Sequence, residues 1–385
     1  MIDRISRSLM WMMAIMLFLP GCGADNEQTA ERTGSNLLQV GVFSNRGASA
    51  TCVVETIEAL RIDTGIEPSA ITAARIASGG LSDLDVLVFP GGSGSTQYNS
   101  MGLALGDTVS DYVINRGKGV VGICAGAYLL SDSKDYPCLR LISAGAVDIE
   151  HDKRGSAVVE VRFAAEGLEL FPEMAGSNPG YIQYHDGPLL VPAEGADDTP
   201  LHRYATFISD VHCSADVPAG MTPGKIFLAG QEVGRGRVFA CAGHPESTTG
   251  MRWLVPRMAR WAAGEKMVEY GSNVVRPEVG EREIMHDDAL EKELFWNLFA
   301  DSPSVRISAM QTLVQLRHRN GFRWAVGMLR DPDPGVRAEA AGVLAEAEYT
   351  VALEDLEVAL RKETDRACRS VMKDCLKRLR AMRAE

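Results

Sequence analysis

Apolar and polar positions change rhythm several times along this chain, and each change marks a different kind of element. Residues 9–19 form an almost unbroken apolar run behind Arg4 and Arg7. Residues 24–35 are polar and aperiodic, too poor in apolar side chains to fold alone. From residue 37, short apolar runs alternate with helical patterns. Residues 37–43, 84–89 and 119–123 read as buried strands, and 51–61 and 103–116 as helices. Strands that are apolar on both faces belong in a parallel sheet covered by helices on both sides. Strand character returns at 158–163, 204–208, 225–229 and 236–241, and 249–263 reads as a closing helix. The pattern predicts an α/β domain over 37–263.

Residues 264–287 are charged, carry Pro277 and lack apolar periodicity, which predicts a linker. Beyond it the chain repeats itself. Pro303-Ser304-Val305-Arg306 is echoed by Pro334-Gly335-Val336-Arg337, and Ala309 and Leu313 by Ala340 and Leu344, at about thirty-one residues. Cys368-Arg369, with Met372 and Leu376, makes a looser third copy. This period signals stacked helix pairs, none able to bury its apolar face alone. Residues 288–385 are therefore expected to form a small α-helical array that presents surface to a protein partner. The run from Asp331, Asp-Pro-Asp-Pro-Gly-Val-Arg-Ala-Glu-Ala-Ala, resembles HEAT-like repeats of the phycobilisome-lyase type. That resemblance implies an Asp–Arg ladder between neighbouring repeats.

A length of 385 residues fits two domains with appendages, and a net charge of -12 argues against nucleic acid as a partner. The first residues have the order of a secretory signal: positive charge, apolar run, small-residue cleavage site. The run is short for a bilayer-spanning helix. Leu19-Pro20-Gly21-Cys22 resembles the lipobox of bacterial lipoproteins, with Pro20 a departure from it. The expectation is a signal over 1–22, lipidation at Cys22, a tether over 23–36, and a membrane-held protein on the periplasmic side of the cell envelope. The alternative is an ordinary signal peptide cleaved nearby. Export would let Cys52, Cys138, Cys213 and Cys241 pair, in combinations that the sequence leaves open. No CxxC spacing supports a metal, and no cofactor is expected.

Candidate chemistry lies where strands end. Val121-Gly122-Ile123-Cys124-Ala125-Gly126 places a cysteine on a sharp strand-to-helix turn, the geometry of a nucleophile elbow. Such a turn exposes the sulfur, favours its thiolate, and offers backbone N–H groups to an oxyanion. Gly243-His244-Pro245-Glu246 supplies a base, His244, and a carboxylate, Glu246, able to orient it. Gly91-Gly92, together with Ala125, would serve an anionic intermediate, and His185 and Asp186 are candidates for the pocket wall. All three segments follow strands, at the carboxyl edge where α/β sheets hold their sites.

These residues carry a more specific resemblance. Gly122-Ile123-Cys124-Ala125-Gly126 with a later His-Pro-Glu is similar to the class I glutamine amidotransferase fold. Within it, the chain resembles the N-terminal domain of biotin–protein ligases at Phe89-Pro90-Gly91-Gly92, Tyr184-His185-Asp186-Gly187-Pro188 and Gly234-Arg235-Gly236. The resemblance implies a flavodoxin-like parallel sheet, with Cys124 as nucleophile, His244 as base and Glu246 as its orienter. Nothing in the chain resembles a biotin ligase catalytic domain or a synthetase that would use ammonia. What the resemblance leaves is a cysteine hydrolase acting on an amide or related carbonyl of a small molecule or peptide. The competing expectation is a non-catalytic pocket that binds a small molecule, with the array docking a protein.

Overall fold

Each early apolar run has two faces to bury, and both are buried in the same sheet. The computed structural model describes residues 37–193, 200–213, 216–280 and 282–383. Strands β1 (Leu38–Phe43), β2 (Ile66–Ile71), β3 (Val86–Phe89) and β4 (Gly119–Ile123) lie parallel, in the order β2-β1-β3-β4. Alternate side chains go to opposite faces, as a pleated strand requires. Val86 and Val88 enter one core, Leu87 and Phe89 the other. Helices α1 (Ala50–Leu60) and α6 (Leu254–Ala263) cover the first face. Helices α2 (Ala73–Ala77), α3 (Gly94–Ile114) and α4 (Ala125–Leu130) cover the second.

The later strands turn the sheet mixed. Chain order adds β5 (Ala144–Ala146), β6 (Ser156–Phe163), helix α5 (Ala165–Leu170), β7 (Gly180–His185), β8 (Leu190–Pro192), β9 (His202–Phe207), β10 (Ile226–Val233) and β11 (Gly236–Cys241). β11 runs parallel to β4, and β10, β9 and β6 continue antiparallel beyond it. The flavodoxin-like expectation therefore holds for the half that carries Cys124, His244 and Glu246, while His185 and Asp186 lie at the end of the antiparallel β7. The other half is antiparallel.

Three local expectations change. The helix expected at 103–116 begins at Gly94 and kinks at Gly102, whose φ of 71° is the left-handed conformation glycine tolerates. The closing helix starts at Leu254, because 245–253 is occupied by a short 3-10 helix and turns. The stretch read as a linker contains β12 (Ile284–Met285), which pairs with β6.

Helices α7 (Asp288–Asn297), α8 (Pro303–Gln315), α9 (Arg319–Met328), α10 (Pro334–Glu346), α11 (Leu353–Lys362) and α12 (Arg366–Arg380) make the array around their own apolar cluster. Its ladder is a pair of forked ion pairs. Arg306 grips Asp331 at 2.7 and 2.8 Å, and Arg337 grips Glu363 at 2.7 Å through both nitrogens. The array also packs on the α/β part, and the chain from Leu37 onward is one compact unit. Arg252 donates to the Glu348 carbonyl at 2.9 Å and to Thr350 at 2.7 Å, and Gly250 N–H donates to the Glu348 carboxylate at 2.9 Å. Among the described residues no helix is long and apolar enough to cross a membrane.

The Arg337 fork holds the Glu363 carboxyl down to about 2, against an unfolded value of about 4.3. A depressed carboxylate stabilises the fold above its unfolded pKa, and that contribution is lost as pH falls toward the folded value. Urea midpoints measured from pH 5 to pH 2 should therefore fall less steeply for Glu363→Gln than for the natural chain. Equal slopes would show that the fork adds nothing.

Candidate functional site

The elbow is built by crowding. Cys124 sits at φ 52°, directly between β4 and α4. Its backbone N–H donates to the Cys241 carbonyl at 2.8 Å, tying the turn to β11. A Cβ on Gly126 would lie 2.0 Å from the Phe89 carbonyl oxygen, so that position has no room for a side chain. The Cys124 thiol donates to the His185 carbonyl at 3.3 Å. Burial pushes this thiol well above the usual cysteine range. Cys52 and Glu246 push the same way, while Arg319 opposes them. The turn was expected to favour the thiolate, but the dry surroundings outweigh it and the resting sulfur carries its proton.

His244 and Glu246 meet as the sequence proposed. His244 Nδ1 lies 2.7 Å from Glu246 Oε1, both side chains are buried, and Pro245 opens the short 3-10 helix that turns them together. Backbone bonds brace the imidazole: His244 N–H donates to the Gln183 carbonyl at 2.7 Å, and Thr248 donates to the His244 carbonyl at 2.7 Å. Burial lowers the imidazole pKa, and Arg319 lowers it further against the pull of Glu246. Burial alone would raise the Glu246 carboxyl, but His244 and Arg319 outweigh it and hold it below the usual range. Donation of Nδ1–H to Glu246 would leave Nε2 free as a base, while Arg319 Nη1, a donor 3.1 Å from the same Nδ1, favours the other tautomer.

The sulfur grouped with this pair is one the sequence reading did not assign to the site. Cys52, in the first turn of α1, has its sulfur within 4.8 Å of ligand-capable atoms of both His244 and Glu246. Gly91 lies against them, since a Cβ there would stand 2.8 Å from both Cys52 Sγ and His244 Cε1. Such a spacing would suit a metal, but a cation is already present. Arg319 at the start of α9 places Nη2 3.2 Å from Cys52 Sγ and 3.2 Å from Glu246 Oε1, and Nη1 3.1 Å from His244 Nδ1. Its other partner is Glu55 on α1, reached through Nε at 2.8 Å.

A cavity of about 430 Å³ connects these groups. Cys52, Cys124 and His244 line it with Gly92, Ala125, His185 and Asp186, so most of the expected residues share one space. The fourth wall comes from the array, through His318, Arg319, Asn320 and Arg323. His185 is exposed and bonded to Ser156, while Asp186, at φ 49°, accepts the Gly155 N–H at 2.7 Å as a turn former. Beside the cavity, Arg154 and Asp148 form a fully buried ion pair, and Tyr128 donates to Asp148. The open question of cysteine pairing is answered among the described residues: Cys52, Cys138, Cys213 and Cys241 are all free thiols. Cys22 lies outside the described residues.

The family of biotin-protein ligase N-terminal regions matches residues 38–138, and the HEAT repeat family matches residues 291–377. Both agree with the resemblances carried by the motifs. No curated protein matches the chain. Among solved structures, a beta-galactosidase from Bacillus circulans sp. alkalophilus is similar at 14% identity and a TM-score of 0.36, covering 59% of this chain and 31% of its own. A beta-galactosidase from Rahnella sp. R3 is similar at 10% identity and a TM-score of 0.37, over 60% of this chain and 32% of its own. This chain therefore spans about a third of those enzymes. A cytoplasmic protein from Salmonella typhimurium LT2 matches over 59% of this chain and 97% of its own, at 12% identity and a TM-score of 0.36.

Gly91→Ala tests how closely the site is built. The added methyl must displace Cys52 or His244, at a cost of about 1–3 kcal/mol. A lowered urea midpoint together with altered thiol alkylation is expected. Unchanged values for both would mean that the wall yields freely.

Proposed function

We propose that the α/β part is a thiol-dependent hydrolase that cleaves an amide or related carbonyl compound held in this cavity. The observation that carries the reading is that Cys124 and His244 line one cavity, with His244 Nδ1 2.7 Å from the Glu246 carboxylate. Cys124 is the nucleophile and rests as a thiol. As its sulfur bonds to the substrate carbonyl carbon, its proton passes to His244. His244 returns that proton to the leaving amine as the carbon–nitrogen bond breaks. Water then attacks the thioester, giving a proton to His244 and releasing the carboxylic acid. The sulfur, freed from the carbonyl, takes that proton back. Glu246 keeps the imidazole oriented through both halves.

A second reading is a non-catalytic pocket, favoured by the burial that keeps the thiols protonated. We further propose that the chain is exported and lipid-anchored through Cys22, with the array meeting a protein partner. Trp296 and Phe299, 62% and 64% exposed, offer that array an aromatic surface.

Reaction with iodoacetamide, located by peptide mass, separates the readings. Cys124→Ser should remove the labelling that tracks loss of turnover. His244→Ala should slow labelling about 10²-fold or more, and Glu246→Gln less. If Cys52→Ser removes that labelling while Cys124→Ser leaves it, the nucleophile is Cys52. Labelling indifferent to His244 supports the binding pocket. For the anchor, Cys22→Ala should move the protein from the membrane fraction to the soluble one. A mutant that partitions like the natural chain rules the anchor out.

A further inference from the structure

We infer that Arg319, delivered by the helical array, is a positioning residue of the candidate site: it balances two buried carboxylates and stands as the cation beside the sulfur. The inference rests on the hydrolase reading for its purpose, but its geometry stands apart from that reading. Glu55 and Glu246 are each 1% exposed, and both face Arg319. Glu246 Oε1 is shared between His244 and Arg319, while Glu246 Oε2 has no partner among the described residues. With both carboxylates ionised, the one guanidinium leaves the cluster one unit negative; burial pushes the Glu55 carboxyl above its usual range, and Arg319 opposes that push.

That balance decides what the sulfurs can do. Forming a thiolate here adds an anion to a dry space that already holds two. Cys52 feels Glu246 and Glu55 as like charges and Arg319 as the opposing one. Cys124 feels Cys52, Glu246 and Arg319 in the same senses. The groups facing the cluster come from every neighbouring element. They are Cys52 and Glu55 from α1, Cys124 from the elbow, and His244 and Glu246 from the turn after β11. Arg319 comes from α9, Tyr349 faces Glu55, and His185 acts on His244. Without the guanidinium, two unbalanced carboxylates would oppose any charge on sulfur. With it, a substrate that excludes water meets a thiol whose proton can leave.

The test follows the charge rather than the shape. The rate of iodoacetamide alkylation is read against pH at Cys124 and Cys52 by peptide mass, in the full chain, on the rising limb below the thiol midpoints. Arg319→Met makes the cluster more negative by one unit and should slow alkylation about tenfold or more at each pH. Arg319→Met/Glu55→Gln restores the original charge while removing a further hydrogen-bonding group. It should bring the rate back toward the natural value. A purely structural role predicts the opposite, because the double variant loses more contacts. Glu55→Gln alone keeps the guanidinium and should speed alkylation, which serves if Arg319→Met does not fold. An unmoved rate in Arg319→Met or in Glu55→Gln, or no recovery in the double variant, overturns the inference. Failure of the hydrolase reading looks different: alkylation indifferent to His244→Ala while the charge-dependent shifts persist.

Discussion

A buried charge set joins three parts of this molecule: Glu55 on α1 and Glu246 after β11 face the Arg319 guanidinium of α9, which lines the cavity. Removing a carboxylate from water costs several kcal/mol, and one arginine returns part of that only when its hydrogen bonds are well placed. The set is therefore poor evidence for stability. The hydrogen bonds it does make need α1, the turn after β11 and the first turn of α9 all in place. Displacing any one of them strands a buried charge. The packing around it follows that requirement. Gly91 has no side chain because Cys52 and His244 close over it, and Arg252 fixes the array by gripping Glu348 and Thr350 nearby.

What the sequence made legible is local. The elbow at Cys124, the turn at His244 and Glu246, and the glycines after β3 are each defined by a few consecutive residues, and a parallel sheet brings such strand ends together by its topology. The repeats were legible for a similar reason, since Pro303 and Pro334 open equivalent helices and Arg306 and Arg337 make equivalent forks. What stayed hidden is non-local or weakly patterned. Strand β2 reads Ile-Glu-Pro-Ser-Ala-Ile, whose proline and polar residues suit an edge and mask the strand. Cys52 looked like a disulfide candidate because nothing beside it in sequence announces His244. Arg319 lies 264 residues from Glu55, and no spacing rule connects an arginine in a helical repeat to a carboxylate on another helix.

The same distinction changes what the array is. Short helical stacks ordinarily present surface, and the exposed aromatic side chains of α7 and the turn after it fit that role. Yet the first turn of α9 presents His318, Arg319 and Asn320 to the cavity, so the stack supplies a wall of the site from within its length. The start of α9 must satisfy buried charge, and Glu291 of α7 meets it there, 2.7 Å from His318 and 2.9 Å from Asn320.

The start of α9 ties the placement of the array to the charge balance of the candidate site. A shift of α9 by the length of a hydrogen bond would pull the guanidinium from Cys52 and Glu246 together, since one side chain serves both. The carboxylates left behind would then oppose the charge a nucleophilic sulfur has to carry. Array placement and the charge around Cys52 and Glu246 are consequently not separate properties of this chain, because one guanidinium enters both.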